Sequence, residues 1–94
     1  MAVTPKAYTT SGTTTLHTGP VNVYGFSARN TTANPATLTI YDNTAASGTP
    51  IYSETLAANS ANYRSFPYPV RALIGVTATL TGTTPNVVGS IYMD

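Results

Sequence analysis

Apolar and polar residues alternate along most of this chain with the two-residue period of a β-strand. The segment Ala36–Asp42 alternates aliphatic residues with threonines and a tyrosine, and Val70–Leu80 carries its apolar residues mainly on one face. Gly75 inside that second segment predicts a bulge or bend. Val21–Asn30 has apolar residues on both faces, which is typical of a central strand. No stretch shows the longer period of an amphipathic helix, so the pattern predicts an all-β fold.

Turn residues separate the apolar segments about every ten residues, as at Asn34-Pro35 and Pro67-Tyr68-Pro69. The segments predicted as strands are Val21–Asn30, Ala36–Asp42, Pro50–Leu56, Ala61–Phe66, Val70–Leu80 and Val87–Met93, with two shorter ones at Lys6–Thr10 and Thr13–His17. About six to eight strands are enough for two packed sheets. The sequence therefore predicts a small antiparallel β-sandwich of the jelly-roll or immunoglobulin-like type.

The chain has the length of one domain, and its N-terminal part differs in composition from the rest. Residues 1–19 are rich in threonine and contain Leu16 as their only leucine or isoleucine. We therefore divide the chain into a threonine-rich N-terminal arm, residues 1–19, and a β-sandwich domain, residues 20–94. A segment with so few large apolar side chains is a loosely packed terminus or an arm that adds a strand to a neighbouring subunit.

Charged residues make up 7% of the 94 residues and the formal net charge is +1, whereas about a quarter of the residues of an ordinary domain are charged. Nineteen threonines, seven serines and seven asparagines supply a neutral polar surface instead. Free sandwiches commonly protect their edge strands with lysines, inward-pointing charges or prolines, and Lys6 is the single lysine here. We expect at least one edge or face to be covered by a neighbouring protein in the working state. Thr77 and Thr79 are predicted to lie on such an outer face.

The residue types that catalysis or metal binding require are scarce. The chain has one histidine, His17, three acids, and no cysteine or tryptophan. It has no Gly-x-Ser-x-Gly turn or phosphate-binding glycine loop, and the spacing of His17 and the acids does not predict a metal site. Four scattered basic residues do not indicate nucleic-acid binding, and no stretch has the apolar length of a membrane helix. We therefore expect no catalysis, cofactor or metal, and no nucleic-acid or membrane partner.

Asn30 and Asp42 are two polar residues for which the sequence predicts a specific role. Asn30 begins an Asn-Thr-Thr acceptor pattern for N-glycosylation, which we interpret more simply as the end of a strand. Asp42 is expected to pair with Arg29 or Arg71, because an arginine in an apolar strand segment usually points outward or pairs with an acid.

Tyrosines and threonines supply the candidate contact residues. Most of the seven tyrosines are expected to pack in the core, because the chain has only two phenylalanines. Tyr63 and Tyr68 lie near turn residues and arginines, which favours exposure and contact with a partner. The threonine run of the N-terminal arm is the second candidate. The predicted interface residues are Tyr63, Arg64, Tyr68, Arg71, Thr13, Thr14, Thr15 and Leu16.

Five stretches between residues 20 and 94 resemble small structural proteins of tailed bacteriophages. They are VYGFSARNT (23–31), LTIYDNTAASGTPI (38–51), FPYPVR (66–71), GVTATLTGT (75–83) and GSIY (89–92). The resemblance implies a compact β-sandwich in the virion, assembled in the host cytoplasm, that decorates the head or belongs to the tail. Its partners would then be the major capsid or tail proteins and further copies of itself, in a homo-oligomer such as a trimer.

Three functions of different classes are open from the sequence. A head decoration or cement-type protein that acts by protein–protein contact is the first expectation, with a tail or fibre component as its variant. A carbohydrate-binding or adhesin module fits the β architecture and the tyrosines, although the chain lacks the tryptophan that often anchors sugars. A small hydrolase has no support in the residues.

Overall fold

Eight β-strands form most of the computed structural model, which describes residues 3–94. They are β1 (Thr4–Thr10), β2 (Thr13–Thr18), β3 (Val21–Asn30), β4 (Ala36–Asp42), β5 (Thr49–Leu56), β6 (Ala61–Ala72), β7 (Gly75–Gly82) and β8 (Val87–Met93). Every ladder is antiparallel, and the prediction of an all-β sandwich is confirmed. Within residues 3–94 there is no helix of the length and apolarity needed to cross a membrane.

The strands pair as the two halves of one long hairpin that is rolled into two sheets. β1 pairs with β8, β2 with β7, β3 with β6 and β4 with β5. Sheet A has the order β1-β8-β3-β6, and sheet B has the order β2-β7-β4-β5. This is the strand order of a jelly roll. An immunoglobulin-like sandwich keeps more of its consecutive strands paired within one sheet, so the jelly roll is the one of the two predicted types that is observed.

The inner faces of the two sheets meet in a thin core of aliphatic and aromatic side chains. Phe26, Leu56 and Ile91 come from β3, β5 and β8 and are completely buried. The rings of Phe26, Tyr52 and Phe66 contact one another, with centroids 5.3–6.4 Å apart. This aromatic cluster fills the core beside β5 and β6, and it accounts for the partial burial of Tyr52 and Phe66.

β3 departs from the strict alternation that the sequence suggests. A register shift between Val23 and Gly25 makes Tyr24 an extra residue in the strand. Val23 and Phe26, which strict alternation places on opposite faces, are both completely buried. β3 is central, between β8 and β6, as predicted. Its two apolar sets nevertheless share one face, because the bulge inverts the alternation.

The segment Val70–Leu80, predicted as one strand with a bend at Gly75, is two strands in different sheets. β6 ends at Ala72 in sheet A and β7 begins at Gly75 in sheet B, so the prediction of a single strand is wrong. The apolar pattern runs through the connection because Leu73 and Ile74, although apolar, are exposed turn residues. Alternation alone therefore does not reveal that the chain changes sheets there.

The predicted N-terminal arm forms β1 and β2 within the sandwich, where they are edge strands of sheets A and B. Tyr8 and Leu16 attach them to the core and are 6% and 2% exposed. The Tyr8 hydroxyl also donates to the Ser27 carbonyl at 2.9 Å, and burial raises the pKa of this phenol. One large buried side chain anchors each strand, which the low apolar content of the segment conceals. Residues 1 and 2 lie outside the described residues.

Asn30 joins the loops at one end of the sandwich, which we call the Asn30 end. Its side chain is completely buried. The amide Nδ2 donates to the carbonyls of Asn34, Leu56 and Ala57 at 2.8–3.3 Å, and Oδ1 accepts from the N–H and hydroxyl groups of Thr32. The amide nitrogen is therefore engaged and inaccessible, which makes the Asn-Thr-Thr pattern structural, in keeping with its interpretation as a strand end.

Asp42 joins the β6–β7 turn to β4 at the opposite end, which we call the Asp42 end. Its carboxylate accepts hydrogen bonds from the backbone N–H groups of Leu73, Ile74 and Gly75 at 2.9–3.3 Å. The bonds from Ile74 and Leu73 hold the pKa of Asp42 below its ordinary value, because they stabilise the ionised form. The predicted pairing of Asp42 with an arginine is wrong, because the turn occupies the carboxylate.

Asn30→Asp tests the role of the buried amide. A carboxylate has the same shape but cannot donate, so it would face three carbonyl oxygens without water. We expect the free energy of unfolding at neutral pH to fall by about 3 kcal/mol or more, measured by urea denaturation. Asn86→Asp is the matched control, because that amide donates to the Thr31 hydroxyl at an exposed site. It should change stability by less than about 1 kcal/mol, and equal losses would contradict the role of Asn30.

Asp42→Asn tests the attachment of the turn. A neutral oxygen accepts more weakly, so we expect a loss of about 1–2 kcal/mol at neutral pH. Because the pKa of Asp42 is lowered in the folded state, its contribution is fully present above the ordinary carboxyl pKa of about 4 and disappears as the pH falls through the folded value. Unfolding free energies between about pH 7 and pH 2 should therefore decrease less in the variant. An identical acid response in both proteins would refute this assignment.

Candidate interaction surfaces

The outer face of sheet A carries aromatic and cationic side chains, and we call it the tyrosine–arginine face. It includes Asn22, Ser27, Arg29, Ala61, Tyr63, Arg71, Val88, Ser90 and Tyr92. Tyr63 on β6 and Tyr92 on β8 form a T-shaped pair with ring centroids 5.8 Å apart. Tyr63 is nevertheless 60% exposed. Tyrosine and arginine are the residue types that are enriched where proteins bind their partners.

A shallow groove of about 470 Å³ crosses this face where three strands meet. Its floor includes Ser27, Gly89 and Ser90, and its walls include Tyr63 and Arg29. Ser27 lies opposite both Tyr63 and Ser90 in the ladders, and Arg29 is two residues further along β3. At Gly89 the strands β3 and β8 come so close that a Cβ atom would overlap the Ser27 carbonyl oxygen. The groove thus has an aromatic wall, a cationic wall and two serines on its floor, while Ala61 and Val88 add apolar lining.

The outer face of sheet B is covered with hydroxyl groups, and we call it the hydroxyl face. It consists of Thr13, Thr15, Thr37, Thr39, Tyr41, Ser53, Thr55, Thr77, Thr79 and Thr81, none of which is charged. Neighbouring hydroxyls bond across strands, as between Thr13 and Thr79 at 2.8 Å and between Thr39 and Ser53 at 3.0 Å. In each pair one O–H group is satisfied by its neighbour, so a partner that covers this face has to accept a hydrogen bond from only the other one.

Thr77 differs from its neighbours on the hydroxyl face. It is completely buried, and its hydroxyl donates to the Asn43 carbonyl at 2.8 Å, because the loop between β4 and β5 covers it. Thr79 is half-buried and reaches the surface. The predicted outer face therefore exists, but only Thr79 of the two threonines is suitable for testing contacts there.

The four edge strands are protected in different ways. β1 carries Pro5 and Lys6, β5 carries Pro50, and β6 carries Pro67 and Pro69. Proline removes a backbone donor and is tolerated at sheet edges, which is why the predicted Pro-Tyr-Pro turn is part of β6. β2 has no proline, but a register shift interrupts its pairing with β7, and such a bulge also discourages edge-to-edge pairing.

The predicted interface residues fall on two separate edges of the sandwich. Tyr63, Arg64, Tyr68 and Arg71 belong to β6, and Thr13, Thr14, Thr15 and Leu16 belong to β2. β6 lies beside β5, whereas β2 lies beside β1 on the other side, so the structure does not bring the two sets together. Thr13 and Thr15 contribute to the hydroxyl face, and the Thr14 hydroxyl donates to the Thr10 hydroxyl at 3.1 Å.

The predicted interface residues also differ in how much of each side chain is exposed. Tyr68 is 81% exposed, so together with Tyr63 its ring is available to a partner. Leu16 is a core residue, so its side chain does not offer a surface contact. The Arg71 guanidinium donates to the Asn22 side chain at 3.4 Å on the tyrosine–arginine face.

Arg64 bridges the two sheets at the side where β5 lies beside β6. Its Nε donates to Glu54 Oε1 at 2.5 Å, while Asn62 donates to Oε2 and the Tyr52 hydroxyl to Oε1. The Glu54 side chain is only 9% exposed, and this is the one ion pair among residues 3–94. Hydrogen bonds to Tyr52 and Glu54 raise the pKa of Arg64. Arg64 therefore links the two sheets, and because 46% of its side chain is exposed, the prediction of a contact residue at this position stays a prediction.

Arg29, Ser27 and Ser90 are not predicted as site residues from the sequence. Within the described part of the chain, Arg29 has no hydrogen-bond or ion-pair partner. The three residues come together only through the register of β3 with β6 and β8. The one sequence signal is the run of small residues in Gly89-Ser90, opposite Ser27, which indicates a low place in the sheet surface.

His17 lines a small pocket together with Lys6 and Asp94, whereas Asp42 and Glu54 lie elsewhere in the fold. Among residues 3–94 no group of three or more histidine, cysteine, aspartate or glutamate residues is placed to hold a metal ion. Asp42 accepts from the β6–β7 turn, Glu54 from Arg64, and Asp94 from the Tyr24 hydroxyl at 3.0 Å. Each acid therefore has a partner in the fold.

No protein-family model, curated protein or solved structure matches this chain. The comparisons thus do not link it to phage structural proteins, and the resemblance stays a prediction.

Unfolding of the variants Arg64→Gln and Arg71→Gln tests whether Arg64 stabilises the fold and Arg71 does not. Arg64→Gln leaves the nearly buried Glu54 carboxylate without its cation, so we expect a clearly lower urea midpoint of unfolding. Arg71→Gln removes an exposed charge and should stay within about 0.5 kcal/mol of the unmodified protein. Equal midpoints for the two variants would contradict the assignment of Arg64 as a link between the sheets.

Proposed function

We propose that this protein is a structural subunit of a tailed-bacteriophage particle, of the head-decoration type. It acts by contact with the major capsid protein or with neighbouring subunits and does not catalyse a reaction. The hydroxyl face is the proposed docking surface. A tail or fibre component is the variant of this proposal, because the same surface could cover a tail protein.

The absence of charge on the hydroxyl face is the observation that carries the proposal. Its residues span all four strands of sheet B without a charged side chain. Soluble surfaces usually mix charges of both signs, since burying a charge without a partner is costly. A face without charges and with paired hydroxyls is therefore suited to being covered by another protein.

The size of the hydroxyl face supports attachment of several copies together. Four strands about 4.8 Å apart and about six residues long present on the order of 400 Å². A stable interface takes about 800 Å² from each partner. One copy alone is thus expected to attach weakly, and a homo-oligomer such as a trimer would gain from having several linked contacts.

The architecture and the roles of the acids agree with the proposal. Jelly rolls occur in viral capsid and lectin domains, which supports a particle role by analogy of fold only. Asp42 and Glu54 each hold parts of the fold together. We therefore assign them structural roles.

Thr79→Lys should prevent docking while leaving the fold intact. Thr79 lies on β7 in the middle of the hydroxyl face, so a lysine would place an unpaired charge inside the interface. We expect affinity for emptied heads of the phage that carries this sequence to fall at least about tenfold in co-sedimentation. Thr9→Lys is the matched control, because this exposed threonine on β1 lies opposite Val88 on sheet A. It should bind like the unmodified protein.

The outcomes of this experiment separate the alternatives. Normal head binding by Thr79→Lys would show that the hydroxyl face is solvated and would refute it as the docking surface. Binding to tails but not to heads would select the tail variant. A monodisperse monomer at high concentration in light scattering, without binding to phage particles, would contradict the particle role itself.

A further inference from the structure

We infer that the groove on the tyrosine–arginine face binds an acidic saccharide, with Arg29, Tyr63 and Ser90 as its contact residues. The groove lies on the outer face of sheet A, whereas the hydroxyl face is the outer face of sheet B. The two surfaces point in opposite directions, so the groove stays open when the hydroxyl face is covered. The inference therefore stands whether or not the proposed docking is correct.

Arg29 supplies the positive charge that favours an acid. It is exposed beside the groove and has no hydrogen-bond or ion-pair partner among residues 3–94. Every acid of the described chain is bonded to another part of the fold. A free guanidinium binds a carboxylate through two parallel N–H···O bonds.

Tyr63 supplies an apolar wall for a sugar ring. Its contact with Tyr92 holds the ring in position, while more than half of its surface stays exposed. The C–H groups on one face of a pyranose pack against an aromatic ring of this kind. Tyr63 and Arg29 are diagonal neighbours across β6 and β3, which places their Cβ atoms about 7–8 Å apart. A carboxylated pyranose that rests on the tyrosine can therefore reach the guanidinium.

Ser90 supplies a hydroxyl group on β8, across β3 from Tyr63 and diagonal to Arg29. The Ser27 hydroxyl accepts a hydrogen bond from the Ser90 N–H at 3.1 Å. Within the described residues the Ser90 hydroxyl itself has no partner, so it can bond a sugar hydroxyl. The groove volume of about 470 Å³ lies in the range of small-ligand sites, about 300–1,000 Å³.

The place of the groove in the sheet favours a saccharide over an acidic peptide. Extended peptides usually bind by adding a strand to a free sheet edge, where main-chain groups are available. This groove lies over β6, β3 and β8, and the main chain of β3 there is already paired on both sides. Recognition must therefore come from side chains, which suits a compact ligand with a ring and a carboxylate.

Amide chemical-shift mapping of the isotope-labelled full chain tests the inference. Galacturonate and N-acetylneuraminate are the acidic probes, and galactose is the neutral one. We expect the acids to shift groove amides with a Kd of about 1 mM. Galactose should bind at least about tenfold more weakly, because it lacks the carboxylate. Binding of one acid alone also supports the inference and identifies which kind of acidic sugar the groove accepts.

Matched variants assign the contacts. Arg29→Gln should weaken acid binding at least about tenfold and remove the preference over galactose. Tyr63→Ala should weaken it about fivefold. Arg71→Gln removes the same charge from the same face outside the groove and should leave the Kd within about twofold. Equal weakening by the two arginine variants would indicate general attraction of anions and overturn the site.

Two further results would also overturn the inference. One is the absence of saturable groove shifts with both acids up to about 10 mM, ten times the expected Kd. The other is tighter binding of poly-glutamate than of the sugars in the groove, which would assign the groove to an acidic protein partner.

Discussion

Backbone hydrogen bonding at the two ends of the sandwich is the constraint on which the rest of this fold depends. A rolled hairpin sends most of its connections from one sheet to the other, where the crossing residues have no strand beside them. Their carbonyl and N–H groups therefore need partners outside the strand ladders. Asn30 donates to three carbonyls at one end, and Asp42 accepts from three N–H groups at the other. The chain has no cysteine, so no disulfide links its connecting segments. The hydrogen bonds of the Asn30 and Asp42 side chains hold these segments in place instead.

The strands that the sequence predicts best are those that alternate without interruption. β3, β4 and β8 all begin and end at the predicted residues, but the predicted faces hold throughout only in β4 and β8, because a half-buried strand without a bulge must alternate between core and surface. The prediction fails where the alternation of apolar and polar residues does not follow the path of the chain through the sheets. The bulge at Tyr24 inverts the pattern within one strand, and the turn at Leu73 and Ile74 preserves the pattern while the chain changes sheets. Both events depend on tertiary contacts, Asp42 at the turn among them, that a local pattern does not contain.

The interaction surfaces are also predictable only in part, because they depend on contacts between segments that are distant in the sequence. The exposure of Tyr63 and Tyr68 follows from the composition of their own segment, and the structure has both exposed. The groove beside Tyr63 needs residues from three strands in one register, and no single segment indicates it. Arg64 has 46% of its side chain exposed and stays a candidate contact residue, but its ion pair with Glu54 is not predictable from its own segment, because Glu54 lies in the other sheet. Sequence reasoning therefore identifies residue types suited to contact, while the fold decides which of them reach the surface.

The scarcity of charge has a different meaning on each face of the sandwich. Each acid is bonded to another part of the fold, whereas Arg29 has no partner among residues 3–94 and lies on the outer face of sheet A. Sheet B has no charge on its outer face, so nothing there opposes close approach of a neutral protein surface. The prolines and the bulge protect the edges, so side-by-side pairing of sheets is disfavoured and the faces are left as the contact surfaces. Because the two faces of a sandwich point away from each other, contact through sheet B leaves the arginine-bearing face turned towards solvent, where its charge can act on a ligand.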